Sequence, residues 1–131
     1  MGSFNQLLKK NASCRDMFEC FFDLMPTEVS IFYMLDSEKN LDQISEEMHK
    51  DRTTAYRCLQ KLVGAGLVIK EKKIIKEGGY YYSYSRVDPS IIREIVNSRM
   101  LEVKHALNNI IKKLESELDN RSGKVSGPVE D

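Results

Sequence analysis

Residues 41–68 read LDQISEEMHKDRTTAYRCLQKLVGAGLV, and the spacing of their apolar side chains decides the fold. Leu41, Ile44 and Met48 recur at helical intervals and mark one buried stripe, with Glu46 and Glu47 turned to water. His49-Lys50-Asp51 then makes a tight turn, and Asp51 is suited to cap a second helix running through Ala65. That helix is expected to bury Ala55, Cys58, Leu59 and Leu62, and Gly66 stands where a left-handed residue ends it. The pattern is a short helix, a turn and a longer basic helix.

Downstream, residues 67–75 and 80–87 are rich in β-branched and aromatic residues and flank Lys76-Glu77-Gly78-Gly79. This is a β-hairpin around a Gly-Gly turn. Asp88-Pro89 starts the next helix, with Pro at the first helical position, and that helix is expected to reach about Asn120. Within it, Val96, Met100, Val103, Leu107, Ile110 and Leu114 alternate at intervals of three and four, as in a coiled-coil seam. At ~1.5 Å per residue such a helix is about 45 Å long and outreaches a small core, so it calls for a partner.

Upstream, residues 4–22 read as a single helix whose phenylalanine-rich end is buried. Met25-Pro26-Thr27 punctuates the chain. Thr27 is the expected cap of a further helix that carries Val29, Ile31, Phe32, Met34 and Leu35 to about Glu38. Residues 37–40 read as a polar break. The fold class expected is mainly α with a small β-hairpin wing: a winged helix-turn-helix with an N-terminal helix and a long C-terminal coiled-coil helix. The expected boundaries are 1–25 for the N-terminal helix, 26–88 for the winged unit, 89–120 for the dimerisation helix and 121–131 for a disordered polar tail.

The chain has 131 residues and a formal net charge of zero, which hides an asymmetry. Residues 1–49 carry four Lys/Arg against nine Asp/Glu, whereas residues 50–76 carry eight against two. Charge alone would favour a solvated lysine-rich hairpin, but this cationic block coincides with the basic helix and the hairpin, and its position shifts the reading. That is the footprint of a phosphate-binding surface. Away from the apolar stripe lie Arg52, Thr53, Tyr56, Arg57 and Lys61, with Lys50 just upstream and Thr54 near the helix start. Arginine can meet guanine O6 and N7 in the major groove, and Thr54 can offer its hydroxyl and amide to the DNA backbone. Lys70, Lys72, Lys73 and Lys76 of the hairpin would add affinity through phosphates, without sequence information.

Other chemistries find little footing. The three cysteines, Cys14, Cys20 and Cys58, lack zinc-ligand spacing and make an odd count without a secretory signal, which suits reduced thiols. His49 and His105 stand alone. No nucleophile–base pair or phosphate-cradling glycine loop is evident, so no enzyme, metal or cofactor is expected. No apolar run approaches the ~20 residues of a membrane span, and a cytoplasmic, nucleoid-associated protein is expected.

The runs PTEVSIFYML, LDQISEEMHKDRTTAYRCLQKLVGAGLVIKEKK and YYYSYSRVDPSIIREI, spread over residues 26–95, resemble the TrmB-type branch of winged-helix transcriptional regulators, common in archaea. They are similar more loosely to the MarR and ArsR groups. Residues 53–68 carry the most specific part, followed by Tyr84 and Val87-Asp88-Pro89. The resemblance implies a homodimer that binds double-stranded operator DNA and gives DNA-facing roles to Thr53, Thr54, Tyr56 and Arg57. TrmB-type regulators carry a sugar-binding domain after the wing, where this sequence has the coiled-coil helix and tail, so no small-molecule effector is expected. The competing expectation is a winged helix used for protein–protein interaction in transcription or chromosome-organising machinery. The basic block on helix and wing favours DNA.

Overall fold

The computed structural model describes residues 4–122. Two compact units divide the chain, Met1–Ile92 and Arg93–Asp131. The first holds α1 (Phe4–Leu7), α2 (Cys14–Asp16) running into a π-helical turn (Met17–Phe21), and α3 (Pro26–Met34). Then follow β1 (Lys39–Asn40), α4 (Leu41–Met48), α5 (Arg52–Gly64), β2 (Val68–Ile74) and β3 (Tyr80–Arg86). Helix α6 (Pro89–Ser122) begins in this unit and makes up the described part of the second. The result is mostly helical with a small antiparallel sheet, as the sequence patterning implies.

The core forms where α3, α4, α5 and the base of the hairpin meet. Val29, Ile31 and Phe32 of α3, Ile44 of α4, and Ala55, Leu59 and Leu62 of α5 are all buried, with Leu67, Val68 and Tyr84 closing the bottom. Cys58 is only half-buried, at the margin of the stripe. Helix α3 buries residues around much of its circumference, which suits a helix packed on several sides. Phe18 and Leu24 from the N-terminal segment join the same core, Phe18 with its ring centroid 4.7 Å from that of Phe32.

Four expectations need correction. The N-terminal helix is not continuous over residues 4–22. It breaks after Leu7, and Ser13 caps a new start by accepting from the Asp16 N–H at 3.3 Å. A serine whose hydroxyl competes for backbone donors favours a cap over a helix interior. Helix α3 starts one residue before Thr27, with Pro26 in its first turn and the Met25 N–H donating to Glu28 Oε1 at 2.7 Å. It stops at Met34 rather than Glu38, where Leu35 leaves helical geometry. Finally, Lys39 and Asn40 are not a polar break but a strand, pairing with Tyr84 and Ser83 of β3. The sheet therefore has three strands in the order β1-β3-β2. Two residues are too few for an alternating pattern to announce them.

The hairpin register pairs Lys70 with Tyr84, Lys72 with Tyr82 and Ile74 with Tyr80. Gly78 and Gly79 take φ of 115° and 86° in the connecting turn, a region open to glycine at no steric cost. Helix α6 extends to Ser122, slightly past the expected end; the rest of the expected polar tail, residues 123–131, lies outside the described residues. Among the described residues no helix is long and apolar enough to cross a membrane.

Candidate nucleic-acid interface

Helix α5 is anchored at both ends. The Thr54 N–H donates to Asp51 Oδ1 at 2.9 Å, and Gly66 follows the helix with φ of 81°. The carboxyl of Asp51 is held below its ordinary range by the Thr54 hydroxyl and amide. The preceding turn is set by His49, which takes the left-handed conformation (φ 54°) after α4. On the other end of α4, the Asn40 side chain accepts from the Gln43 N–H at 2.9 Å and the Gln43 side chain returns the bond to the Asn40 N–H at 2.8 Å. These caps fix the angle between α4 and α5. With Ala55, Leu59 and Leu62 inward, Arg52, Thr53, Tyr56, Arg57 and Lys61 are exposed on the helix, and Lys50 is exposed in the turn before it. The amide of Thr54, expected to face a DNA backbone, is instead taken by the cap.

The cationic side chains fall into two groups that the sequence does not separate. Arg52 Nε lies 3.0 Å from Asp42 Oδ1, and Lys73 Nζ lies 3.4 Å from Glu38 and 3.6 Å from Glu71. Lys61 Nζ sits 3.2 Å from the buried Glu28 carboxylate and donates to the Asp23 carbonyl at 2.8 Å. These three are engaged with the protein's own oxygens. By contrast, Lys50, Arg57, Lys70, Lys72 and Lys76 form no ion pair among the described residues.

The hairpin register also sorts the wing lysines by face. Lys70 and Lys72 share a face with Tyr80, Tyr82 and Tyr84, whereas Lys73 lies on the other with Glu71 and Tyr81. Between this tyrosine-bearing face and the first turns of α4 and α5 runs a cleft of about 260 Å³, lined by Asp42, Arg52, Tyr56, Tyr80 and Tyr82 among others. Tyr80 and Tyr82 are not among the site residues that the sequence patterning marks. A run of three tyrosines on a strand reads as β propensity, and only register shows which rings meet the lysines.

Residues 18–90 match the family model described as sugar-specific transcriptional regulator TrmB. The chain belongs to the TrmB family. The matched segment begins at the Phe18 core residue and ends at the start of α6, so it contains the whole α3–β3 unit. A relative in Methanocaldococcus jannaschii, the uncharacterized protein MJ1503, is 28% identical over 103 residues, covering 77% of this chain and 78% of that protein. Among solved structures, a possible transcriptional regulator from Methanosarcina mazei Go1 superposes with a TM-score of 0.64 at 19% identity, over 80% of this chain and 93% of the other. TrmBL2, described as an archaeal chromatin protein with a novel mode of DNA binding, superposes with a TM-score of 0.67 at 16% identity. That match covers 87% of this chain but 42% of TrmBL2. Family and fold are therefore those of winged-helix transcriptional regulators.

Proposed function

We propose that this TrmB-family chain is a sequence-specific regulator that binds double-stranded DNA as a homodimer, with α5 in the major groove and the wing on flanking phosphates. The observation that carries the reading is the distribution of cations: among the described residues, Lys50 and Arg57 at α5, and Lys70, Lys72 and Lys76 on the wing, form no ion pair. A surface made to dock another protein has no need of so many unneutralised charges beside one helix. Arg57, Thr53 and Tyr56 are the base-reading candidates, joined by Arg52 once it leaves Asp42. Lys50, Lys70, Lys72 and Lys76 serve phosphates, joined by the Thr54 hydroxyl once it leaves Asp51. Lys61 and Lys73 act mainly within the fold.

The dimer reading rests on α6. Its seam runs from Val96, half-buried, through Met100, Val103, Leu107, Ile110 and Leu114, which are exposed in the single chain, Met100 and Leu107 at 57% and 52%. Leu101, Ile111 and Leu118 widen the apolar surface. An apolar stripe of that length on one helix is stabilised by burial against a second copy. Two copies would present two α5 helices to major grooves about one helical turn, ~34 Å, apart. Effector recognition is no part of this reading; a nucleoid location follows from the DNA binding. TrmBL2, whose described DNA binding belongs to it, lends support through the shared fold.

Fluorescence anisotropy with a labelled duplex tests the proposal. Saturable binding that weakens steeply with added salt is expected. No binding to any duplex at low salt would remove the DNA reading and leave the protein-docking alternative.

A further inference from the structure

The two wing lysines on the tyrosine face are held in an unusual way. Lys70 Nζ lies 4.4 Å from the ring centroid of Tyr82 and 5.6 Å from that of Tyr56 on α5. Lys72 Nζ lies 4.2 Å from the ring centroid of Tyr80. The Tyr80 and Tyr82 rings themselves meet edge to face, with centroids 5.6 Å apart and planes at 78°. The arrangement is continuous: Tyr56, Lys70, Tyr82, Tyr80, Lys72. It ties the recognition helix to the wing.

An ammonium on a π-face differs from one on a carboxylate. The ring quadrupole attracts the cation and restrains its long stem but carries no net charge. Lys70 and Lys72 are thus positioned without being neutralised, unlike Lys73 beside Glu38 and Glu71. Pre-ordering a flexible lysine reduces the entropy lost when it meets an anion. The rings remain accessible, Tyr80 at 54% and Tyr82 at 38% exposure, so the site faces solvent.

We infer that Tyr80 and Tyr82, with Tyr56, are positioning residues that hold Lys70 and Lys72 as a two-point clamp for backbone phosphodiesters beside the recognition helix. The inference rests on the DNA-binding reading above. It assigns to Tyr80 and Tyr82 a role exerted through the lysines, not through base contacts of their own; Tyr56 holds Lys70 from the helix side and keeps its place among the base-reading candidates.

The test is a double-mutant cycle on the full chain, using anisotropy with a random-sequence duplex and inorganic salt titration. Tyr82→Leu is expected to weaken binding about two- to fivefold, while Tyr82→Phe, which keeps the π-face, stays near the parent. In a Lys70→Gln background Tyr82→Leu should cost nothing further, since the group it positions is gone. Tyr80 and Lys72 form a second cycle with the same expectation, which stands if Tyr82→Leu fails to fold as judged by circular dichroism. An undiminished loss in the Lys70→Gln background would overturn the clamp, as would Tyr82→Phe behaving like Tyr82→Leu. In either case the tyrosine would be touching DNA itself. Failure of the parent chain to bind any duplex would overturn the DNA reading together with the clamp, whereas strong parental binding with additive losses overturns the clamp alone.

Discussion

Lys61 of α5 reaches back to α3, its ammonium 3.2 Å from Glu28 Oε1 and 2.8 Å from the carbonyl oxygen of Asp23. Asp23 is one of two non-glycine residues with positive φ among the described residues, at 57°, and its carbonyl is held by this bond. Glu28 is buried and also accepts from the Met25 N–H at 2.7 Å. One lysine thus ties the C-terminal half of α5 to the start of α3 and to the turn before it.

Lys61→Met should therefore act on stability rather than on DNA. Leaving the buried Glu28 without its cation is expected to cost about 1–3 kcal/mol in chemical denaturation. The salt slope of DNA binding, measured on the folded variant, should not change. A slope reduced by ~1 would show that Lys61 meets a phosphate instead.

The wing lysines should separate by face. Lys72→Ala is expected to weaken binding to all sequences and to lower the salt slope by ~1, because its ammonium forms no ion pair among the described residues. Lys73→Ala should lower it by less, since Glu38 and Glu71 already share that charge. Equal slopes for the two variants in parallel salt titrations would count against this division.

The Asp51 cap sets a pH dependence. Its carboxyl is depressed below the ordinary value of 3.8, so its contribution to stability is complete above that value and is lost as pH falls through the lower, folded value. Asp51→Asn keeps a capping oxygen but does not titrate. Denaturation midpoints of the two proteins should therefore converge in acid and differ in a constant manner above pH 5 or so. A difference that grows on acidification would contradict the assignment.

The seam of α6 predicts self-association. Light scattering should give twice the chain mass of 15.1 kDa for the parent and a single mass for Leu107→Glu, which places a charge in the middle of the stripe. A parent that scatters as one chain at micromolar concentration would remove the two-fold model.

Much of the fold is legible in the sequence because its determinants are local. Asp51, Gly66 and Asp88-Pro89 act within one turn of their own helix, and each helix or hairpin they bound is where the patterning puts it. What escapes is non-local or short. β1 exists because Lys39 and Asn40 meet Tyr84 and Ser83 from far along the chain. The partition of cations likewise depends on Glu28 meeting Lys61 and Glu38 meeting Lys73, pairs that no spacing rule connects. The tyrosine–lysine array needs the hairpin register before Tyr82 and Lys72 can be placed side by side. The early helix is misjudged because its apolar residues suit a continuous stripe, while Ser13 starts a new helix.

Whether α5 reads DNA sequence is answered by selecting bound duplexes from a random-sequence library and sequencing the retained pool. A two-fold symmetric motif with half-sites about one helical turn apart is expected, and a flattened motif for Arg57→Ala at unchanged salt. A retained pool from the parent chain indistinguishable from the input library would show that α5 reads no sequence.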